Sequence, residues 1–164
     1  ERRSEMFNFF KKKETGHIIG SPAKGKAVPL KEVNDPTFAE EMLGKGAAVI
    51  PEDGKIYAPA AGEIGMVFET LHAVSMTTDF GAELLIHIGL DTVKMKGDGF
   101  TGHVKSGDHV KKGDLLLEVD LEKVKAAGYD IITPVIVCNT PDYASVKGIE
   151  SAHVNAGDDL IIIS

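Results

Sequence analysis

Six histidines punctuate the chain, His17, His72, His87, His103, His109 and His153, and an imidazole can serve as base, nucleophile or metal ligand near neutral pH. His17, His109 and His153 sit in polar or terminal settings with no distinctive neighbours, and no role is assigned to them. His87 differs because of the segment that carries it, Glu83-Leu84-Leu85-Ile86-His87-Ile88-Gly89. Period-two alternation puts Leu84, Ile86 and Ile88 on one face of a strand and Leu85 with His87 on the other. A histidine in so apolar a strand is either buried with a partner or placed at a functional surface. A neutral imidazole held at one nitrogen by a hydrogen bond offers the other as a nucleophile, for instance toward phosphorus.

His72 is the candidate partner. It opens His72-Ala73-Val74-Ser75-Met76-Thr77, joined to the His87 strand by Thr78-Asp79-Phe80-Gly81. If Thr78 pairs with Gly81 in an antiparallel hairpin, His72 falls directly opposite His87, with Cβ atoms about 4.5–5.5 Å apart. A bulged turn with Gly81 in the left-handed region shifts the pairing by one residue and sends the histidines to opposite faces. Turn chemistry does not choose between these, because Phe80 is a poor residue for a primed turn.

Other chemistries find less support. A catalytic zinc needs about three converging protein ligands and an open position for water. A His-x-His pair around His87 is missing, since Leu85 and Gly89 occupy the flanking positions, and nothing in the spacing recruits His103 or His109. Val93-Lys94-Met95-Lys96-Gly97 approximates the lysine context of lipoyl and biotinyl carriers, and Val104–Asp114 resembles their turns. The residue order is wrong for such a carrier, and the chain is about twice as long as one; a solvated hairpin is the better reading. The lone Cys138 ends the run Pro134-Val135-Ile136-Val137-Cys138 and reads as a small buried hydrophobe rather than a reactive thiol. No Gly-rich phosphate loop of the Walker type is present.

The elements that must position the histidines are short. β-compatible runs alternate with Gly, Pro and Asp turn signals at Lys26–Leu30, Ala47–Ile50, Lys55–Ala58, Glu63–Val67, His72–Thr77, Glu83–Ile88, Gly102–Lys105, Leu115–Asp120, Ile131–Cys138 and Asp159–Ile163. This spacing predicts an all-β sandwich or barrel. Helical pattern is confined to Pro36–Leu43 and Leu121–Ala127, with a turn near Asp142–Ser145. A length of 164 residues with 43% hydrophobic content suits one domain, and a net charge of −7 with interleaved signs argues against a nucleic-acid surface. No apolar run reaches the roughly 20 residues of a membrane span, and no secretory signal is evident; with a single cysteine, this predicts a cytoplasmic protein, expected to be monomeric. Residues 1–15 read as a flexible tail ahead of a domain over 16–164, with Glu1–Glu5 as a linker or added remnant. Met6–Lys13 sets aromatics beside lysines, enough for at most a weak membrane-surface contact.

Several segments, in order, resemble one family. Leu84-Leu85-Ile86-His87-Ile88-Gly89-Leu90-Asp91-Thr92-Val93 with Lys96-Gly97-Asp98-Gly99-Phe100 is similar to the active-site signature of the glucose-type enzyme IIA of bacterial sugar phosphotransferase systems. Phe68-Glu69-Thr70-Leu71-His72-Ala73 resembles its second-histidine segment, and Asp35-Pro36-Thr37-Phe38-Ala39-Glu40-Glu41-Met42-Leu43-Gly44 its early helical turn. Ala58–Ile64 and Thr133–Val137 match further segments, so the resemblance runs from about residue 16 to the C-terminus.

The resemblance implies a compact antiparallel β-sandwich of the duplicated hybrid motif type, without cofactor or metal. His87 would take a phosphoryl group on Nε2 from the phosphocarrier HPr and pass it to a cysteine of a sugar-specific enzyme IIB. His72 would stabilise the phosphoryl oxygens, Thr70 would orient His72, and the Gly89 carbonyl would hold His87 at Nδ1. An apolar docking rim would include Phe38, Met42, Leu43, Phe68, Val74, Ile86, Ile88, Val93 and Met95, with Asp35 and Asp91 meeting basic residues of the donor. Some members of the family also dock regulatory targets. Leu71 replaces a residue that is often polar in the family, and Phe80 stands where small residues are usual.

Overall fold

Short strands need hydrogen-bonded partners along their edges, and among the described residues every such pairing is antiparallel. The computed structural model describes residues 16–164, and the readings made for residues 1–15 lie outside them. The strands are β1 (His17–Gly20), β2 (Gly25–Val28), β3 (Lys45–Pro51), β4 (Lys55–Tyr57), β5 (Gly62–Val67), β6 (Ala73–Thr78), β7 (Glu83–His87), β8 (Phe100–Gly102), β9 (His109–Val110), β10 (Leu115–Val119), β11 (Thr133–Val137), β12 (Val146–Gly148), β13 (Ala152–Val154) and β14 (Asp159–Ile163). They form one large sheet in the order β13-β2-β3-β11-β7-β6-β5-β9 and two three-stranded sheets, β1-β14-β12 and β4-β10-β8. The result is the expected antiparallel β-sandwich. The strands β1, β9, β12 and β13 were not anticipated; β1 and β12 are short edges that borrow their hydrogen bonds from β14.

Helices are brief. α1 (Pro36–Ala39) starts on Asp35, whose carboxylate accepts from the Thr37 N–H at 3.0 Å, and Pro36 occupies its first turn. It stops well before the expected Leu43 because Glu41 turns left-handed at φ 59°. α2 (Leu121–Ala126) is capped by Asp120 accepting from the Lys123 N–H. A 3₁₀ turn at Thr92–Met95 was not anticipated; it holds Lys94 in a tight loop rather than at the tip of a carrier hairpin.

Alternation in the large sheet divides two cores. Ala47 and Val49 of β3, Leu84 and Ile86 of β7, and Val135 and Val137 of β11 enter the main core between the sheets. Ala48, Leu85 and Ile136 point the other way, into a smaller cluster with Leu30, Val33, Phe38, Leu90 and Ile132. The side of β7 that carries Leu85 and His87 is therefore covered by the 30–38 segment, as the period-two reading of that strand requires. The ladder between β7 and β11 runs from Leu84 to Ile86 and stops short of Pro134, which has no N–H to give. His87 is left at the end of its strand, bordering a loop. Cys138 lies one residue beyond β11 and is exposed, against expectation, because the buried run ends at Val137.

Candidate active site

The β6–β7 hairpin decides whether the two histidines meet, and its register is the shifted one. Ala73 pairs with His87, Val74 with Ile86 and Thr77 with Glu83, so Thr78 closes the hairpin with Ala82 rather than Gly81. The Gly81 N–H donates to the Thr78 carbonyl at 2.9 Å, and Gly81 takes φ 95°. The left-handed position of the three-residue loop thus falls on glycine, and Phe80 is tolerated because it needs no positive φ.

On strict alternation this register would part the histidines, yet their ring centroids lie 5.2 Å apart, inclined at 80°. The reason is that His72 precedes β6 and ends a tight turn. The Leu71 N–H donates to the Phe68 carbonyl at 2.7 Å, and Leu71 itself is left-handed at φ 61°. Outside the strand, the pleat no longer assigns His72 a face. Its carbonyl still accepts from the Ile88 N–H at 2.7 Å, which ties the two histidine segments together.

Each imidazole is held at Nδ1. His87 Nδ1 lies 2.7 Å from the Gly89 carbonyl; a carbonyl only accepts, so the proton sits on Nδ1 and Nε2 keeps its lone pair. His72 Nδ1 lies 2.5 Å from Thr70 Oγ1, and a hydroxyl donated to that nitrogen leaves Nε2–H free to donate. Phe38 flanks His87 at 5.0 Å and Phe68 meets His72 edge-on at 5.2 Å. Burial lowers the pKa of both histidines. For His72 the neighbouring His87 adds to the lowering; for His87 the Gly89 hydrogen bond and the charges of Asp35 and Asp91 oppose it. Both shifts favour the neutral ring, the form a nucleophilic nitrogen requires.

Gly89 is required by its surroundings as well as its carbonyl. It takes φ 76°, and a Cβ there would lie 2.6 Å from the Thr92 methyl and 2.8 Å from the Asp130 carbonyl. Of the expected rim, Met42, Leu43 and Val93 are exposed, while Met95 is partly buried against the core. Asp91 is exposed and Asp35 half-buried. Val74, Ile86 and Ile88 do not belong to a rim: all three are at most 1% exposed and pack into the main core. The resemblance placed them there, although period-two alternation had already put Ile86 and Ile88 on the face of their strand opposite His87. No role was assigned from sequence to Thr92 and Asp130, which hold the loop after His87; nothing in their spacing distinguishes a threonine bonded to backbone from one in solvent.

The remaining histidines stand apart from this pair. His103, His109 and His153 meet the carboxylates of Glu118, Asp79 and Glu52 at 2.9, 3.2 and 2.8 Å. His17 stacks on Phe80 at 4.2 Å. Among the described residues no group of three His, Cys, Asp or Glu side chains forms a metal-binding set, so the donor chemistry of a zinc peptidase is not assembled. Cys138 is no better placed as a nucleophile, since desolvation and the Glu83 carboxylate push its thiol up.

The antiparallel sandwich thus brings two imidazoles face to edge, each held at Nδ1. Residues 17–143 match the family described as phosphoenolpyruvate-dependent sugar phosphotransferase system, EIIA 1, and the chain belongs to that family: it is an EIIA phosphoryl-transfer component, a phosphotransferase of the sugar phosphotransferase system. The chain is 44% identical to the PTS system glucose-specific EIIA component of Oceanobacillus iheyensis, covering 94% of this chain and 96% of that protein. It is 49% identical to the PTS system beta-glucoside-specific EIIBCA component of Bacillus subtilis, over 90% of this chain but only 24% of that protein's length. The solved glucose permease IIA from Mycoplasma capricolum superposes with a TM-score of 0.84 at 35% identity, covering 90% of this chain and 95% of that one. No helix among the described residues is long and apolar enough to cross a membrane.

Proposed function

We propose that His87 is the phosphoryl acceptor of this EIIA component and HPr its donor. The observation that carries this reading is the Nδ1–H of His87 held on the Gly89 carbonyl at 2.7 Å, which leaves the Nε2 lone pair free to attack. In the transfer, that lone pair attacks phosphorus of the phosphohistidine of HPr. The donor's P–N bond breaks, and its electron pair returns to the donor imidazole, which takes up a proton. The transferred group carries its charge on equatorial oxygens as it moves, and His72 Nε2–H is the donor that meets it. Onward transfer is the same displacement by a cysteine thiolate of an enzyme IIB domain, breaking the P–N bond to His87. Relatives in which EIIA is fused with EIIB and EIIC support that acceptor. The sandwich over 16–164 acts as one domain and as a monomer, on the cytoplasmic side where the donor works. The sugar is set by the partner. Phe68, beside His72, with exposed Met42, Leu43 and Val93, supplies the docking face, and Asp35 and Asp91 supply its negative charge; Phe38, 4% exposed, backs His87 from the smaller core.

Incubation with enzyme I, HPr and phosphoenolpyruvate, followed by intact mass measurement, tests the reading. One acid-labile phosphoryl group is expected, absent in His87→Ala. Label persisting undiminished in that variant would remove His87 from the mechanism.

A further inference from the structure

We infer that the buried hydroxyl of Thr92 is a positioning group for the transfer site: it fixes the Ile88–Gly89 peptide and thereby the Gly89 carbonyl that keeps His87 in its Nδ1–H tautomer. Thr92 is fully buried, and its Oγ1 donates to the Ile88 carbonyl at 2.5 Å. Glycine adopts either sign of φ with similar ease, so Gly89, at φ 76°, is a joint that its neighbours must lock. One side of the joint is the Ile88–Gly89 peptide, whose carbonyl is held by Thr92. The other is the Gly89–Leu90 peptide, whose N–H donates to the Asp130 carbonyl at 3.0 Å while its carbonyl meets His87 Nδ1 at 2.7 Å. With both planes pinned, the Gly89 carbonyl has one direction. Releasing the Ile88 carbonyl leaves a buried acceptor without its donor, and the peptide can regain a partner only by turning. Rotation about Gly89 would move its carbonyl away from Nδ1, and the ring would then lose its reason to prefer the Nδ1–H form.

Thr92 also fills space, since its methyl lies 2.6 Å from where a Cβ on Gly89 would be. The test separates hydroxyl from volume. Thr92→Val keeps the shape and removes the hydroxyl; Thr92→Ser keeps the hydroxyl. Ring-¹⁵N-labelled histidine reports the His87 tautomer, and the rate of phosphoryl gain from phospho-HPr reports the consequence; only this second readout rests on the proposed acceptor role. In Thr92→Val the Nε2–H tautomer should rise to about nine-tenths of the population and the rate fall in proportion, about tenfold, while Thr92→Ser stays within about twofold on both counts. An unchanged tautomer and rate in Thr92→Val, either change without the other, or a serine variant as impaired as the valine one overturns the inference. If Thr92→Val does not fold, Thr92→Ala, which lacks the hydroxyl and cannot overpack, decides in its place. If the wild-type protein takes up no phosphate, the acceptor role fails and the tautomer alone decides for Thr92.

Discussion

The attack proposed for His87 needs an unprotonated ring nitrogen, and partial burial disfavours the charged form of both histidines. Burial lowers their pKa values below the ordinary 6.5. Below that value the unfolded chain binds protons that the native state still refuses, so stability falls as pH drops from about 6.5 through the folded-state values, and levels off beneath them. Ring NMR titration should show both histidines neutral at pH 7, and thermal melts across this range should lose part of their pH slope when both are replaced by Gln. Once a phosphoryl group sits on His87, its negative charge favours the imidazolium of His72, and the His72 pKa should rise on phosphorylation in the same titration. His72→Gln keeps an amide donor near the Nε2 position but cannot become charged. His87 in this variant should still gain phosphate but transfer it to IIB at least about tenfold more slowly; normal onward transfer, followed by quenched-flow labelling, would end the role assigned to His72.

At the scale of elements, two backbone irregularities bring the side chains to the site. Leu71 at φ 61° ends the turn that frees His72 from the pleat, and a left-handed L-residue of this kind costs about 1–2 kcal/mol. A β-branched residue is worse there, so Leu71→Val should lower stability by about 1 kcal/mol or more and slow onward transfer as His72→Gln does, whereas Leu71→Asn should keep the turn. Urea melts beside transfer assays distinguish the two. Gly89→Ala meets both a positive φ and the Thr92 and Asp130 contacts. It should destabilise by at least about 1 kcal/mol and all but abolish phosphoryl gain. Such irregularities are hard to read in a sequence, because positive φ at leucine has no compositional mark.

For the molecule as a whole, the division between core and docking face separates two kinds of damage. Ile86 is fully buried in the main core one residue from His87, and Ile86→Ala should cost about 2–5 kcal/mol through the cavity it leaves. Val93 is 46% exposed. Val93→Asp should change stability by less than about 0.5 kcal/mol yet slow transfer with HPr, as a charge placed on an apolar contact would. A Val93→Asp variant with wild-type rates, measured over a range of HPr concentrations, would take that residue off the docking face.

Period-two alternation in Glu83–Ile88 determined, by itself, that His87 shares a face with Leu85 and not with Ile86, and ordered motifs around it marked both histidines, Thr70 and Gly89. Turn signals between short apolar runs determined an all-β chain, because spacing and punctuation are local properties. What they did not determine was the partnering of edges such as β1 and β12, whose hydrogen bonds come from β14, more than ten residues away or at the far end of the chain. Nor could they say that Val74, Ile86 and Ile88 face inward, which depends on a second layer of sheet above them. Alternation left the meeting of His72 with His87 open between two hairpin registers, and the tertiary structure decided it. A one-residue shift of the hairpin register should have separated them, and the left-handed turn at Leu71 reunites them, because a side chain outside a strand takes its direction from the turn that delivers it.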